Sequence, residues 1–260
     1  MDGHGDYGKV ISDYVKTNLP LNIQLLEAKN KKTSKELGLL NESTRKQLMI
    51  ESFAKSQEDL TIKLKDESSQ SGATATLVFI IGKTLFCANV GDSRAILGTV
   101  SEGKTIEWNV TRISNDHKPE MQLELRRITE AKGKVAQCID SNGEPYGPKR
   151  VWGKGFTKPG LAISRSLGNV NGIKFGIIST PDVLEIELGV ADKIVVVASD
   201  GVWEVLSNEE VMEIVKNYYP DNNAQGACEE LVKVADKRWQ HTKSGTDDIT
   251  TIVIFLMVKN

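Results

Sequence analysis

The stretch IVVVASDGVWEVLSNEEV at residues 194–211 contains the pattern of a buried strand followed by a turn and a helix start. The run Ile194–Ala198 is entirely apolar, which predicts a strand at the centre of a sheet. Asp200 follows directly, so that a carboxylate stands at the end of a buried strand, where a lone charge is costly. Ser207 and Glu210 have the spacing of a capping box, which predicts that a helix begins there.

Outward from this stretch, other segments show the two-residue period of half-buried strands. Thr74–Ile81 and Thr84–Val90 are separated by Gly82-Lys83, which predicts a hairpin. Arg94–Leu97 is expected to form the next strand, and Ile249–Val258 a long strand that closes the fold.

Between these strands, apolar residues recur at helical spacing in four stretches: 10–19, 49–64, 120–131 and 224–238. Pro20 is expected to end the first helix. The segment Asp140–Gly160 is rich in glycine, proline and aromatic residues, and we interpret it as a long structured loop. Strands in hairpins with amphipathic helices between them indicate an α+β fold, in which helices cover antiparallel sheets.

Composition narrows the class of protein. The 260 residues are 39% hydrophobic and 26% charged, which is typical of a globular domain. Lys and Arg number 33 and Asp and Glu 35, and a net charge of −2 disfavours a nucleic-acid binder. Three scattered cysteines are too few for a disulfide framework, and the longest apolar run, Ile252–Val258, is too short to span a membrane.

Four aspartates stand beside a glycine or a second aspartate at predicted strand ends: Asp2, Asp92, Asp200 and Asp247. Hard cations such as Mg²⁺ and Mn²⁺ prefer carboxylate and carbonyl oxygens, and a nearby glycine lets the backbone approach an ion. The same dipeptides are ordinary turn formers, which is the alternative reading of each position. His4 could donate a proton to a leaving oxygen, or be a surface residue. The residues alone therefore predict a divalent-metal carboxylate site and name no substrate.

Nine motifs occur in a fixed order along almost the whole chain. They are DGHG at 2–5, SGATA at 71–75, ANVGDSRA at 88–95, NDHKP at 115–119, Glu124 with Arg127-Ile128, GLAISRSLGN at 160–169, STPDV at 179–183, VVVASDGVWEVLSNEEV at 195–211 and DDITTIVI at 247–254. In this set and order the chain resembles the metal-dependent type 2C family of serine/threonine protein phosphatases.

The resemblance implies a single phosphatase domain over residues 1–260, built as two antiparallel β-sheets packed in a β-sandwich and flanked by helices. It also implies a two-metal centre and roles for its residues. Asp2 matches the carboxylate that bridges both ions, Gly3 a carbonyl ligand, and His4 the general acid. Asp200 and Asp247 match the carboxylates on the other ion. A weaker third ion would be held by Asp92, Asp200 and Glu204.

The implied activity is hydrolysis of phosphoserine and phosphothreonine in proteins, by direct attack of a hydroxide that bridges two Mn²⁺ or Mg²⁺ ions. The expected partners are phosphorylated proteins in signalling, with no nucleic acid and no membrane span. We expect a monomer in the cytoplasm or the nucleus.

The chain also departs from the family pattern. A strand pair that precedes DGHG in the family supplies an arginine that grips the phosphate, so the domain is expected to be N-terminally incomplete. Asn169 stands where the family has aspartate, and Lys134 where it has glycine, at positions expected to be peripheral to the metals. Two alternatives are a non-catalytic, phosphatase-like interaction module and a metal-dependent hydrolase of small phosphoesters.

Overall fold

The computed structural model describes residues 1–31, 41–101, 107–155, 157–242 and 245–258. Up to residue 130 the described elements are β1 (Gly3–His4), α1 (Gly8–Lys31), α2 (Glu42–Lys63), α3 (Glu67–Gln70), β2 (Gly72–Ala73), β3 (Ala75–Ile81), β4 (Thr84–Val90), β5 (Arg94–Ser101), β6 (Glu107–Arg112) and α4 (Gln122–Glu130). They continue with β7 (Lys134–Ile139), β8 (Pro145–Trp152), β9 (Leu167–Gly168), β10 (Asp182–Glu187), β11 (Asp192–Ala198), α5 (Asp200–Trp203), α6 (Asn208–Val215), α7 (Ala224–Trp239) and β12 (Thr251–Phe255). Two short 3₁₀ helices span Val170–Phe175 and Lys216–Tyr218.

The chain folds into two compact units. The first unit comprises Met1–Ala75, Val90–Asp92 and Asp116–Pro181, and the second comprises Thr76–Asn89, Ser93–Asn115 and Asp182–Asn260. The single, N-terminally incomplete domain over residues 1–260 stays a prediction. None of the helices in the described ranges is long and apolar enough to cross a membrane.

The second unit contains two antiparallel sheets that pack face to face. One sheet has the strand order β10-β4-β3 and the other β12-β11-β5-β6. The core between them consists of buried side chains from both sheets and their connections, namely Leu85, Cys87, Ala95, Leu97, Ile113, Leu188, Val195 and Leu256. This arrangement confirms the predicted α+β class with a β-sandwich.

Strand β11 explains why residues 194–198 are apolar without interruption. Val195 faces the other sheet, whereas Ile194 and Val196 face a second core on the opposite side. Successive side chains of a strand point to opposite faces, so a strand covered on both faces needs apolar residues at every position. As predicted, β11 is central, with β5 and β12 as antiparallel neighbours.

Helices α6 and α7 supply the second core of this unit. Val211, Met212 and Leu231 are buried there against β11 and β5. The predicted capping box of α6 is present, since the Ser207 hydroxyl accepts a hydrogen bond from the Glu210 backbone N–H at 3.1 Å. The sandwich is therefore covered by helices on one outer face.

The first unit is built around the helix pair α1 and α2 and several small strands. β1, β2 and β9 form a three-stranded sheet, and β7 and β8 form a two-stranded one. Helix α4 contributes Ile128 to a buried cluster with Val151 and Ile177. The predicted α2 stripe is confirmed, since Met49, Phe53 and Leu60 are buried.

Two local predictions were wrong. Pro20 does not end α1 but lies inside it, because tertiary contacts hold the helix on both sides: Leu19 is buried, and Asn22 donates a hydrogen bond to Ser56 of α2 at 3.0 Å. The segment Asp140–Gly160 contains strand β8 rather than only a loop. The prolines of β8, Pro145 and Pro148, lie in a two-stranded ribbon, and a strand at the edge of a sheet tolerates proline.

Candidate functional site

Strand β1 places the DGHG motif in the first unit. Gly3 and His4 pair with Ala73 and Gly72 of β2. Next to this pair, the Asp2 backbone N–H donates to Thr74 Oγ1 at 3.0 Å, and the Thr74 backbone N–H donates to the Asp2 carbonyl at 2.8 Å. Two reciprocal hydrogen bonds with Thr74 therefore fix the backbone of the motif at Asp2.

Gly3 is required at its position by close packing. A Cβ atom on Gly3 would lie 2.2 Å from the carbonyl oxygen of Gly8, at the start of α1. This is far inside van der Waals contact, so only glycine lets β1 and the start of α1 approach so closely.

His4 is partly buried and hydrogen-bonded. Its Nε2 atom lies 2.6 Å from Asn169 Oδ1 and 3.4 Å from Ser166 Oγ. Burial lowers the pKa of His4, while the hydrogen bond to Asn169 and the negative charges of Asp92 and Asp2 oppose this effect. The imidazole therefore lies within electrostatic range of two carboxylates.

Asp92 lies in a turn after β4 and is almost fully buried. Gly91, immediately before it, has φ +101°, and its backbone N–H donates to His117 Nδ1 at 3.0 Å. The Asp92 carboxylate forms an ion pair with the Lys118 ammonium group. A cation bound by Asp92 would therefore have to compete with Lys118.

In the second unit, Asp200 and Asp247 lie at the same end of two paired strands. Ser199 links the two segments: its backbone N–H donates to the Thr250 carbonyl at 3.0 Å, and its hydroxyl donates to the Asp248 carbonyl at 3.1 Å. Because Asp200 follows Ser199 and Asp247 precedes Asp248, both aspartates lie next to this junction of β11 and β12.

The backbone at this junction is too tight for a side chain on Gly201. A Cβ atom there would lie 2.4 Å from the Asp248 carbonyl oxygen. Asp200 opens the short helix α5, and the Glu204 backbone N–H donates to the Asp200 carbonyl at 2.8 Å. Glu204 is therefore one helical turn from Asp200, with an exposed side chain.

Of the predicted site residues, the structure groups Asp2, Gly3, His4 and Asp92 in the first unit. It groups Asp200, Glu204 and Asp247 in the second. Within the described ranges, no three His, Cys, Asp or Glu side chains form a cluster of metal-binding geometry. The predicted donors are carboxylate and carbonyl oxygens, and this donor chemistry fits Mg²⁺ or Mn²⁺. Their role as ligands stays a prediction.

A buried charge network in the first unit supports the segment that approaches His4. Glu124 receives two hydrogen bonds from Arg127, at 2.8 and 2.6 Å, and one from Arg165 Nη2 at 2.8 Å. Burial by itself raises the pKa of this carboxyl, but hydrogen bonds from Arg127, Arg165 and Ser164 outweigh burial and lower the pKa to about 2. The network anchors residues 164–165, immediately before Ser166.

Sequence reasoning missed the contact of Asn169 with His4. Asn169 was expected to be peripheral, yet its side chain holds the imidazole. The sequence offered one signal: Asn169 is the last residue of the GLAISRSLGN motif and stands where the family has aspartate. The partner could not be identified, because 165 residues separate the two along the chain.

Comparisons with known proteins point to one family. The family model described as protein phosphatase 2C matches residues 2–243. Probable protein phosphatase 2C 73 of Arabidopsis thaliana is 32% identical, over 98% of this chain and 69% of the relative. Probable protein phosphatase 2C 48 of Oryza sativa subsp. japonica is 33% identical, over 98% of this chain and 73% of the relative.

Two solved structures share the fold at low sequence identity. The serine-threonine phosphatase 2C from Toxoplasma gondii superposes with a TM-score of 0.77 at 20% identity, covering 97% of this chain and 83% of that chain. A sex determining protein of C. elegans superposes with a TM-score of 0.74 at 20% identity, covering 98% of this chain and 54% of that chain.

Proposed function

The chain belongs to the protein phosphatase 2C family and is a serine/threonine protein phosphatase, and from this premise we propose that it hydrolyses phosphoserine and phosphothreonine with two Mn²⁺ or Mg²⁺ ions. The family is metal-dependent in general. When bound, such ions supply an activated water near neutral pH and offset negative charge on the phosphoryl group.

The proposed ligands are Asp2, the Gly3 carbonyl, Asp200 and Asp247. The observation that carries the proposal is the junction of β11 and β12, where Ser199 ties Asp200 to the segment of Asp247. These hydrogen bonds bring the backbone segments of two acidic residues to the same end of paired strands, and carboxylate oxygens are preferred ligands of hard divalent cations. A divalent cation is therefore the natural partner of this end of the sheet.

His4 is proposed as the general acid that protonates the departing serine or threonine oxygen. Its ring is held by Asn169, and its strand is held by β2. A fixed imidazole beside carboxylates can deliver a proton with little reorganisation, which is what general acid catalysis requires.

The proposed third and weaker ion would use Asp92, Asp200 and Glu204. The ion pair of Asp92 with Lys118 gives a physical reason for weak binding, since the cation must displace an ammonium group. The phosphatase family implies phosphorylated proteins as substrates. The monomeric state and a cytoplasmic or nuclear location stay predictions.

Hydrolysis of a phosphothreonine peptide by three variants tests the ligand assignment. Asp200→Asn and Asp247→Asn each weaken an anionic ligand, and we expect each to lower kcat/KM by at least about 100-fold in Mn²⁺. Asp248→Asn is the matched control, because Asp248 contributes its backbone carbonyl to the junction and its side chain is not a proposed ligand. Full activity of Asp200→Asn would remove Asp200 from the proposed ligand set.

Two further measurements separate the alternatives. A non-catalytic module would bind no Mn²⁺ at millimolar concentration in a calorimetric titration, whereas the proposed enzyme binds it and releases it to EDTA. A hydrolase of small phosphoesters would turn over a nucleotide faster than the phosphothreonine peptide, and we expect the opposite order.

A further inference from the structure

The side chain of Asn169 is oriented by its own surroundings before it contacts His4. Asn169 is 1% exposed and has left-handed backbone angles, φ 46° and ψ 42°. Its backbone N–H donates to the Ser71 carbonyl at 2.9 Å, and its Nδ2 donates to the Gln70 carbonyl at 3.1 Å. A carbonyl cannot donate, so the nitrogen of the Asn169 amide must face Gln70, and Oδ1 must face His4.

The space around this amide is equally restricted. A Cβ atom on Gly72 would lie 2.1 Å from Asn169 Oδ1 and 2.4 Å from Ser166 Oγ. Only a glycine in β2 therefore allows the amide oxygen to occupy its position beside the imidazole.

This orientation determines which nitrogen of His4 carries the proton. Asn169 Oδ1 is an acceptor only, and it lies 2.6 Å from His4 Nε2. A contact of this length requires a donor on the ring, so Nε2 is protonated in the neutral imidazole and Nδ1 is not.

We propose that Asn169 is a positioning residue that fixes the orientation of the His4 ring and, by accepting a hydrogen bond from Nε2–H, holds the ring as the Nε2–H tautomer. This inference deepens the proposed function, since it rests on His4 as the proton donor.

The first test is spectroscopic and needs no turnover. Two-bond ¹H–¹⁵N correlation of histidine-labelled protein in Mg²⁺ buffer at neutral pH distinguishes a protonated from an unprotonated ring nitrogen. The chain has three histidines, and the spectrum of His4→Gln identifies the His4 signals by their loss. We expect the Nε2–H pattern for His4, and the Nδ1–H pattern would overturn the proposal.

The second test uses two substitutions of Asn169. Asn169→Gly keeps the left-handed backbone accessible and removes the amide, so we expect a mixture of His4 tautomers. Asn169→Asp keeps an acceptor for Nε2–H but loses the donor to the Gln70 carbonyl, so the tautomer should be retained while some stability is lost. Asn222→Gly is the matched control, since exposed Asn222 also has a positive φ, of 50°, and lies in the other unit. An unchanged His4 spectrum in Asn169→Gly would overturn the proposal.

Kinetics separate positioning from folding. In Asn169→Gly we expect kcat on the phosphothreonine peptide to fall at least about tenfold with KM changed less than about twofold, because a misplaced proton donor affects the transition state alone. Asn169→Asp should recover most of kcat. A purely structural role would instead lower kcat in both variants in step with their melting temperatures and leave the His4 tautomer unchanged, and that result would overturn the proposal. A wild-type chain that is inactive yet shows the Nε2–H pattern would contradict the proposed function while supporting the tautomer assignment.

Discussion

At the scale of single residues, close approach of backbone segments limits which side chains the candidate site tolerates. A Cβ atom on Gly3 would lie 2.2 Å from the carbonyl oxygen of Gly8, and a Cβ atom on Gly201 would lie 2.4 Å from the carbonyl oxygen of Asp248. Both glycines adjoin a proposed ligand, Asp2 or Asp200. The Asp-Gly dipeptides, which are ordinary in turns, are here a packing requirement of the site.

Gly3→Ala tests this requirement. We expect it to lower the free energy of unfolding by about 1–3 kcal/mol, as overpacking typically does, and to lower activity because the displaced strand carries Asp2 and His4. Urea denaturation and peptide hydrolysis measure the two effects. Gly189→Ala is the control, since its added Cβ would meet nothing closer than Asp192 Oδ2 at 3.9 Å. Equal stability of Gly3→Ala and the wild type would contradict the packing argument.

At the scale of elements, helix α4 owes its position more to a buried charge than to its apolar stripe. Glu124 is 3% exposed, whereas Met121 and Leu125, two apolar residues of the helical stretch predicted at 120–131, are 52% and 39% exposed. The two arginines that surround Glu124 compensate its charge. Removing a buried carboxylate from an ion pair strongly destabilises a protein, because the positive charges of its partners are then left buried without an opposite charge.

Glu124→Gln is therefore expected to lower stability by about 3–5 kcal/mol at neutral pH. Glu130→Gln, in the exposed pair with Arg126 on the same helix, should change stability by less than about 1 kcal/mol. Chemical denaturation of both variants checks the contrast. A similar small effect of the two substitutions would show that the buried network contributes little.

The same carboxylate predicts a dependence of stability on pH. The pKa of Glu124 falls from 4.5 to about 2 on folding, so its contribution is fully present above pH 4.5 and is lost as pH falls from about 4.5 towards 2. The size is about 3 kcal/mol. Subtracting the unfolding free energies of Glu124→Gln from those of the wild type across this range isolates the contribution, and a difference independent of pH would contradict it.

The elements that were predicted correctly are those whose structure depends on residues close together in the sequence. Strand β11 follows from an unbroken apolar run, and the start of α6 follows from the spacing of Ser207 and Glu210. Pro20 and strand β8 were misjudged because tertiary pairing overrode local propensity. The predicted strand Ile249–Val258 is shorter in the structure, Thr251–Phe255, which is the segment that pairs with residues 194–198 of β11.

In the candidate site, too, residues with a local sequence pattern were predicted and their distant partners were not. Its carboxylates were found from turn dipeptides at strand ends and from the family resemblance. The partners of those residues, Asn169 for His4 and Lys118 for Asp92, come from distant positions. Contacts across such separations follow from the folded topology and leave no local pattern in the sequence.

At the scale of the whole molecule, metal binding should be coupled to stability. An ion that binds only the folded chain stabilises it by mass action, by about 2.7 kcal/mol at a hundredfold excess over its Kd. We therefore expect Mn²⁺ to raise the melting temperature and EDTA to reverse the rise. The shift should vanish in Asp200→Asn and persist in Asp248→Asn. Equal shifts in these two variants would place the bound ion away from Asp200.

The most direct test of the central claim is hydrolysis of a phosphothreonine peptide by this chain, first with Mn²⁺ and then with EDTA. The account predicts release of phosphate that requires Mn²⁺, stops on chelation and returns when Mn²⁺ is restored. Phosphate release that continues in EDTA, or its absence from a folded, Mn²⁺-loaded chain, would contradict the claim that this protein is a metal-dependent phosphatase.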